Sequence, residues 1–251
     1  MIQRSILHIG FHKTGSTSIQ AFLGRFRGRL AELGLAVYEG MQVPDNHVEL
    51  QLAITTNGLL QKAGMATRPV LQALRAGYTA DAAYRSRVED RIRRFAESAK
   101  EPIAVFSSEA VSVLRTDEQL CWLKSVLPGP VSILAYLREP QAYLEAFRAT
   151  MKLLGVAESD DPTSVAYVKE DTWLADYEAR LAPFRRTFGT ENVVVIDYDE
   201  RVAAEGTVIP SFLRVLGVEA AFQKSDWDSV FMNRRRDWLS EDRSDRPTPC
   251  G

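Results

Sequence analysis

Cysteine and long apolar segments are both scarce in this sequence. The 251 residues contain two cysteines, Cys121 and Cys250, and their wide separation fits neither a metal-site spacing nor a disulfide framework. No apolar run approaches the length of a membrane span. The N terminus leads into a strand pattern without the apolar core of a signal peptide. These absences predict a cytoplasmic protein with no membrane span and no metal site.

A surplus of positive charge is also lacking. The sequence has 31 Lys and Arg residues against 33 Asp and Glu residues, so no bulk basic character indicates a nucleic-acid partner. An anionic ligand would therefore be held by a local cluster of side chains. With 45% hydrophobic and 25% charged residues, the chain is typical of a globular protein. We predict one domain over residues 1–251, and the oligomeric state stays open.

The strongest pattern lies near the N terminus, where a short apolar run precedes a turn bounded by two glycines. Residues 6–9 predict a buried strand, Gly10 and Gly15 bound the turn, and an amphipathic run begins at Ser16. Backbone N–H groups of the turn and of the first helical turn converge on one point, where the helix dipole adds positive potential. This order predicts a phosphate site. Its candidate residues are His12, Lys13, Thr14, Gly15, Ser16 and Thr17.

Apolar strands and amphipathic helices alternate along the rest of the chain. The pattern predicts further strands at residues 35–38, 103–106, 131–137 and 193–196, and helices at residues 16–33, 81–99, 118–127, 171–188, 209–216 and from Pro140 onward. This alternation is typical of an α/β fold in which helices cover both faces of a parallel sheet. Residues 39–79 lack a clear pattern, and we expect a substrate-facing insertion there. Residues 225–251 are predicted to form a polar tail.

Three charged residues follow predicted strands directly. Lys13 follows the first strand, Glu109 follows the strand at residues 103–106, and Arg138 ends the strand at residues 131–137. Ligands of parallel sheets sit at the carboxyl ends of the strands. We therefore expect these side chains to meet at one edge of the sheet.

The order of residues in the first loop distinguishes it from the ATP-type loop. In the ATP-type loop, lysine follows the second glycine and a hydroxyl behind it binds magnesium, whereas Lys13 precedes Gly15 by two residues. The run Lys13-Thr14-Gly15-Ser16-Thr17 resembles the 5′-phosphosulfate loop of sulfotransferases that use 3′-phosphoadenosine 5′-phosphosulfate (PAPS), bacterial carbohydrate sulfotransferases among them. The resemblance implies a P-loop-type three-layer α/β/α fold, PAPS as donor, and an acceptor hydroxyl on a carbohydrate, lipid or small molecule. It also implies that Lys13 sits by the oxygen bridging phosphate and sulfate, and that no metal is needed.

A second sulfotransferase signature is matched in part. In that family an arginine at a strand end and a serine eight residues later bind the 3′-phosphate of PAPS, and residues 134–140 resemble the arginine part at Arg138. Ala146 stands where the family has serine, which removes a hydrogen bond of about 1.5–3 kcal/mol if its partner is charged. Thr150 lies one helical turn further on as a possible substitute. The segment at residues 233–236 resembles a late basic segment of the family, which implies that Arg234 contacts the cofactor.

Sulfuryl transfer also needs a base for the acceptor hydroxyl, and the sequence leaves its identity open. Glu109 is one candidate, since the family often carries the base, histidine or glutamate, near such a strand end. His47 is another, because histidine titrates in a useful range and lies in the irregular region. Glu39 is a third candidate. His8 alternates within the first strand and is predicted to be packed.

Two other functions stay open. A kinase-like phosphoryl transferase would need an acid at a strand end to hold magnesium, and Asp197 is the residue that could serve. A non-catalytic module could bind PAPS or its product, adenosine 3′,5′-bisphosphate (PAP), without turnover, and Ala146 together with the undecided base keeps that function open.

Overall fold

A central parallel sheet organises the molecule in the computed structural model, which describes residues 1–55, 81–153 and 155–230. The strands are β1 (Arg4–His8), β2 (Leu35–Val37), β3 (Ile103–Ser107), β4 (Val131–Leu137) and β5 (Val193–Asp197). They form a 5-stranded sheet in the order β2-β3-β1-β4-β5, and every neighbouring pair is parallel. The α/β fold predicted from the alternating pattern is confirmed.

Helices connect the strands. They are α1 (Ser16–Arg25), α2 (Arg27–Glu32), α3 (Glu49–Leu52), α4 (Ala82–Ser98), α5 (Asp117–Val126), α6 (Pro140–Leu153), α7 (Tyr177–Phe188), α8 (Tyr198–Glu205), α9 (Ile209–Leu216) and α10 (Lys224–Asp228). The predicted helices at 81–99, 118–127 and 209–216 and the start at Pro140 agree with this set to within one residue at each end.

Two helix predictions need correction. The single helix predicted over residues 16–33 is divided at Phe26, whose ring packs against Phe222 with a centroid separation of 5.6 Å. The helix predicted from residue 171 begins at Tyr177, because the Asp176 carboxylate accepts the N–H of Ala179 at 3.0 Å and caps the helix there. Helices α8 and α10 were not predicted. Helical periodicity does not encode a contact as remote in sequence as Phe26 with Phe222.

The strands alternate their side chains between two apolar layers. On one face of the sheet, Leu7, Phe106 and Ile133 belong to a core formed with α3, α4, α5 and α7. On the other face, Ile6 and Val105 pack with α1, α2 and α9. Burial on both faces explains why β1, β3 and β4 are continuous apolar runs rather than alternating ones. The edge strand β5 differs, because its Val194 and Val195 are exposed.

The register of the sheet brings three chain segments to one edge. The last residue of β1, His8, lies opposite Ser107, the last residue of β3. The loop after β1 (residues 9–15, here called the Lys13 loop) therefore emerges beside Glu109, which follows β3, and on its other side lies Arg138, which follows β4. Because β1 is the middle strand, the Lys13 loop is flanked on both sides at the carboxyl edge.

Part of the predicted insertion and most of the predicted tail lie outside the described residues. Of residues 39–79 the structure describes 39–55, and of residues 225–251 it describes 225–230, so Arg234 falls outside. Within 39–55 the only helix the structure describes is the single turn of α3, which contacts the 3₁₀ turn that begins at Glu109. Among residues 1–55, 81–153 and 155–230, no helix is long and apolar enough to cross a membrane.

Candidate functional site

The Lys13 loop has a tight backbone that its glycines make possible. Lys13 has a φ of 68°, in the left-handed region that a residue with a side chain rarely adopts, and Gly15 follows with a φ of 81°. A Cβ on Gly10 would lie 2.2 Å from Ser16 Oγ, and one on Gly15 would lie 2.7 Å from Val208 Cγ2. Neither position can take a larger residue without movement. Strained non-glycine backbone of this kind is concentrated at ligand-binding sites.

The hydroxyl groups of the loop fit an anionic ligand. Thr14 Oγ1 and Ser16 Oγ are buried and have no hydrogen-bond partner among the described residues. Helix α1 begins at Ser16 with no side-chain cap and no acidic residue in its first turn, so its first N–H groups keep their donor capacity. Buried donors are normally satisfied, and an anion at this helix end would satisfy hydroxyl and amide donors together.

Lys13 lies within electrostatic reach of both flanking residues. Burial lowers the pKa of the Lys13 ammonium, the nearby Glu109 carboxylate raises it, and the Arg138 guanidinium lowers it further. The edge of the sheet therefore carries two cations and one anion near the same loop. The structure thus brings Lys13, Glu109 and Arg138 together.

Glu109 is held in contact with the loop. It begins the 3₁₀ turn Glu109–Val113, 19% of its side chain is exposed, and its Oε2 lies 3.5 Å from His12 Nδ1. Burial raises the pKa of this carboxyl, but His12, Lys13 and His8 together outweigh burial and hold the pKa below the ordinary value of 4.5. The Glu109 carboxylate is therefore ionised at neutral pH and able to accept a proton.

His47 is engaged with the end of β3. Its ring Nδ1 accepts the backbone N–H of Ser107 at 2.9 Å, and the backbone N–H of His47 donates to the Ser107 carbonyl at 3.0 Å. The ring is fully buried, and burial lowers its pKa to about 3. Because Nδ1 accepts a hydrogen bond, the neutral ring carries its proton on Nε2. The neutral ring of His47 therefore has no free lone pair with which to take the proton of an acceptor hydroxyl.

Glu39 and His8 have other roles in the structure. The Glu39 side chain is 60% exposed and lies 3.8 Å from Arg27 Nη1. His8 is packed, as its place in the strand predicts: its Nδ1 lies 2.9 Å from Ser107 Oγ, and its ring meets Tyr136 edge to face. Burial lowers the pKa of His8 to about 4, against an opposing effect of Glu109.

Arg138 has an acidic neighbour and an available donor. Its Nε lies 3.7 Å from Asp199 Oδ1, and this nitrogen has no hydrogen-bond partner among the described residues. Its backbone carbonyl accepts the Tyr177 hydroxyl at 2.8 Å, which anchors the strand end. Glu139 instead caps α6, where its carboxylate accepts the N–H of Ala142 at 2.7 Å. The ion-pair partner that the structure gives Arg138 is therefore Asp199.

Ala146 and Thr150, the two residues compared with the family's 3′-phosphate-binding serine, lie on α6, which follows Arg138. Ala146 offers no hydroxyl at that position. The Thr150 hydroxyl donates to the Ala146 carbonyl at 3.0 Å within the same helix, so its proton is already used. The 3′-phosphate contact expected from serine therefore has no direct equivalent at these two positions.

Asp197, the acid that could hold magnesium in a kinase, caps a helix in the structure. Asp197 ends β5, and its Oδ1 accepts the N–H of Glu200 at 2.8 Å at the start of α8. In the part of the chain that the structure describes, no cluster of three or more His, Cys, Asp or Glu side chains could hold a metal ion.

Comparison with known proteins identifies the fold. No family model and no curated protein sequence matches the chain. The crystal structure of a sulfotransferase from Alicyclobacillus acidocaldarius matches 97% of this chain and 91% of its own, with a TM-score of 0.55 and 14% identity. The chain has a sulfotransferase-like fold. The sulfotransferase domain of the Synechococcus PCC 7002 olefin synthase matches 100% of this chain and 90% of its own, with a TM-score of 0.48 and 15% identity.

Two residues near this edge of the sheet, Asp199 and Arg180, were not predicted from the sequence. Asp199 could not be predicted, because its contact with Arg138 arises only when strands β4 and β5 pair. The burial of Arg180 could have been predicted from its spacing, because it precedes the apolar residues Phe184 and Phe188 by four and eight residues. That spacing places an arginine on the buried stripe of a helix.

Proposed function

We propose that this protein transfers a sulfuryl group from PAPS to an acceptor hydroxyl. The observation that carries the proposal is the Lys13 loop, with its left-handed lysine at the end of the middle strand, between Glu109 and Arg138. The sulfotransferase-like fold supports the same conclusion. PAPS, when bound, supplies an activated sulfuryl group whose leaving group is the 5′-phosphate of PAP.

The Lys13 loop would hold the donor at its 5′ end. The N–H groups at the start of α1 and the hydroxyls of Thr14 and Ser16 would bind the phosphate. Lys13 would offset the negative charge that develops on the phosphate oxygen as the sulfur–oxygen bond breaks, and such a preorganised charge is a large contribution to catalysis. His12, Gly15 and Thr17 complete the loop. Arg138 would bind the 3′-phosphate, with Arg234 as a further proposed contact.

Glu109 is the base that the geometry favours. Its ionised carboxylate would accept the proton of the acceptor hydroxyl as the oxygen forms its bond to sulfur. His47 fits this role less well, because its Nδ1 already accepts the Ser107 N–H. We propose that His47 instead fixes the segment after β2 against the end of β3. The acceptor class stays as broad as carbohydrate, lipid or small molecule.

The two competing functions have weaker support. A kinase would need its lysine after the second glycine, and Asp197 already caps α8. A binding module would have the same pocket without turnover. Assays with PAPS and with ATP, each with and without magnesium, separate the three functions. Transfer from PAPS without metal supports the proposal, and activity that requires ATP and magnesium contradicts it.

Arg138→Ala tests the proposed grip on the 3′-phosphate. By calorimetry, we expect the variant to bind PAP about 10- to 150-fold more weakly than the wild type, because a hydrogen-bonded charge contributes about 1.5–3 kcal/mol. Affinity for adenosine 5′-monophosphate, which lacks the 3′-phosphate, should change less than about threefold. The matched control is Arg186→Ala, which removes an exposed ion pair with Asp117. Equal losses for both nucleotides, or no loss, would remove Arg138 from this role.

Ala146→Ser tests the departure from the family pattern in the opposite direction. Serine at this position should strengthen PAP binding by about tenfold, since it restores one charge-assisted hydrogen bond, and leave binding of adenosine 5′-monophosphate unchanged. Ala149→Ser, at an exposed position of the same helix, serves as control. If both serine variants behave alike, residue 146 does not face the 3′-phosphate.

A further inference from the structure

Arg180 is a buried arginine whose described partners are all uncharged. It lies in the first half of α7 with 4% of its surface exposed. Its Nη1 donates to the Leu174 carbonyl at 2.7 Å, and its Nη2 donates to the carbonyl and the hydroxyl of Ser112 at 3.3 and 3.2 Å. Burying a guanidinium among neutral groups is costly. Packing alone would not require a charged side chain at this position.

The guanidinium of Arg180 also contacts the Lys13 loop. Its Cζ lies 4.0 Å from the centroid of the Phe11 ring, a distance at which a cation is attracted to an aromatic face. Phe11 is fully buried and directly precedes His12. Tyr177, one turn earlier on α7, meets the same ring edge to face at 5.5 Å. Helix α7 therefore holds the back of the loop through Phe11.

The Ser112 contact leads to the turn that carries Glu109. The Ser112 hydroxyl donates to the Glu109 carbonyl at 2.8 Å, so this hydroxyl links Arg180 to the backbone of Glu109. The Arg180 side chain thus touches two residues, Phe11 and Ser112, that support the contact between His12 and Glu109. One support leads through Phe11 to His12, and the other leads through Ser112 to Glu109, whose carboxylate lies 3.5 Å from the His12 ring.

We propose that Arg180 is a positioning residue, which holds the Lys13 loop and the Glu109 turn at the separation that keeps His12 against the Glu109 carboxylate. This inference rests on the proposed function of Glu109 as the base. Arg180 touches neither Glu109 nor the loop hydroxyls directly, so it acts through Phe11 and Ser112. A misplacement of about 1 Å in such a pair lowers turnover by about 100-fold.

The proposal has a measurable electrostatic consequence. Burial raises the pKa of Glu109, and His12 is the first of the residues that outweigh it, ahead of Lys13 and His8. A small displacement of the loop weakens the directional contact with His12 steeply, whereas it changes the burial of the carboxyl little. The pKa of Glu109 should then rise.

The test compares Arg180→Met and Arg180→Lys with Arg185→Met in the full chain. Arg185 lies on the same helix and pairs with Glu178 at the surface. We expect both Arg180 variants to raise the pKa of Glu109, measured by NMR of its carboxyl carbon, by about 1 unit, and to lower kcat at least about tenfold. The affinity for PAP should fall by less than kcat does, and Arg185→Met should change none of these quantities.

Ser112→Ala provides a smaller change if the Arg180 variants do not fold. It removes the hydroxyl between Arg180 and the Glu109 carbonyl and should shift the pKa of Glu109 in the same direction. Variants that fold and show an unchanged Glu109 pKa, whatever their Tm, would overturn the proposal. A raised Glu109 pKa in a protein that transfers no sulfuryl group would instead support the positioning role and contradict the proposed function.

Discussion

Replacement of Lys13 by methionine is expected to lower kcat for sulfuryl transfer from PAPS by about 100- to 1,000-fold, the loss typical of removing a preorganised group that stabilises developing charge. Methionine keeps the length and the burial of the side chain but removes its charge. Without the ammonium, the negative charge on the leaving phosphate oxygen is opposed mainly by the backbone and hydroxyl dipoles of the loop. Initial rates under saturating PAPS measure the loss of kcat, and calorimetry with PAP measures any change in nucleotide affinity.

The stability of the Lys13→Met variant separates this effect from unfolding. Burial lowers the pKa of Lys13, which means that the folded protein holds its charged form at a cost whenever the pH is below the pKa of an unfolded lysine. The variant should therefore have a Tm equal to or higher than that of the wild type at pH 7. Lys152→Met, at an exposed position, is the control. A stable variant with unchanged kcat would exclude Lys13 from catalysis.

Replacement of Glu109 by glutamine should remove turnover while preserving the binding of PAP. Loss of a general base lowers kcat by about 100- to 10,000-fold. Because the Glu109 carboxylate lies near Lys13 and would repel an anionic nucleotide, the neutral glutamine should bind PAP as tightly as the wild type or more tightly. Calorimetry and initial rates on the same preparation measure this separation, with Glu97→Gln at an exposed position as control.

The pH dependence of the wild type follows from the same carboxylate. The pKa of Glu109 lies below the ordinary value of 4.5, so the carboxylate stays ionised as the pH falls and becomes protonated only below that value. The acidic limb of kcat/KM should accordingly lie below pH 4.5, down to the pH at which the protein unfolds. A limb near pH 6 to 7, or full activity in Glu109→Gln, would assign the base to another group.

The fold was largely predictable because its signals are local. Strands β1 to β4 are apolar runs that are buried on both faces, whereas Val194 and Val195 of the edge strand β5 are exposed. The alternation of such strands with amphipathic helices allows few arrangements other than a covered parallel sheet. The Lys13 loop was equally predictable, since Gly10, Lys13 and Gly15 follow the first strand directly. The left-handed backbone at Lys13 was not predicted.

The identity of the base could not be read from the sequence. His47 and Glu109 were comparable candidates there, because proton affinity depends on neighbours that come from other strands. In the folded chain Ser107 donates to His47 Nδ1, whereas His12 lies against the Glu109 carboxylate. These contacts join residues separated by 60 and 97 positions in the sequence.

The parallel sheet, its helical layers and the loop at the end of the first strand could thus be predicted, since periodicity, glycine placement and apolar runs act over a few neighbouring residues. The meeting of Lys13, Glu109 and Arg138 at one edge was expected, but their individual contacts emerged only from the folded chain: Glu109 beside His12, Asp199 beside Arg138, and Arg180 beneath Phe11. Burial and charge at a site are set by strand order and helix packing, which unite segments far apart in the chain.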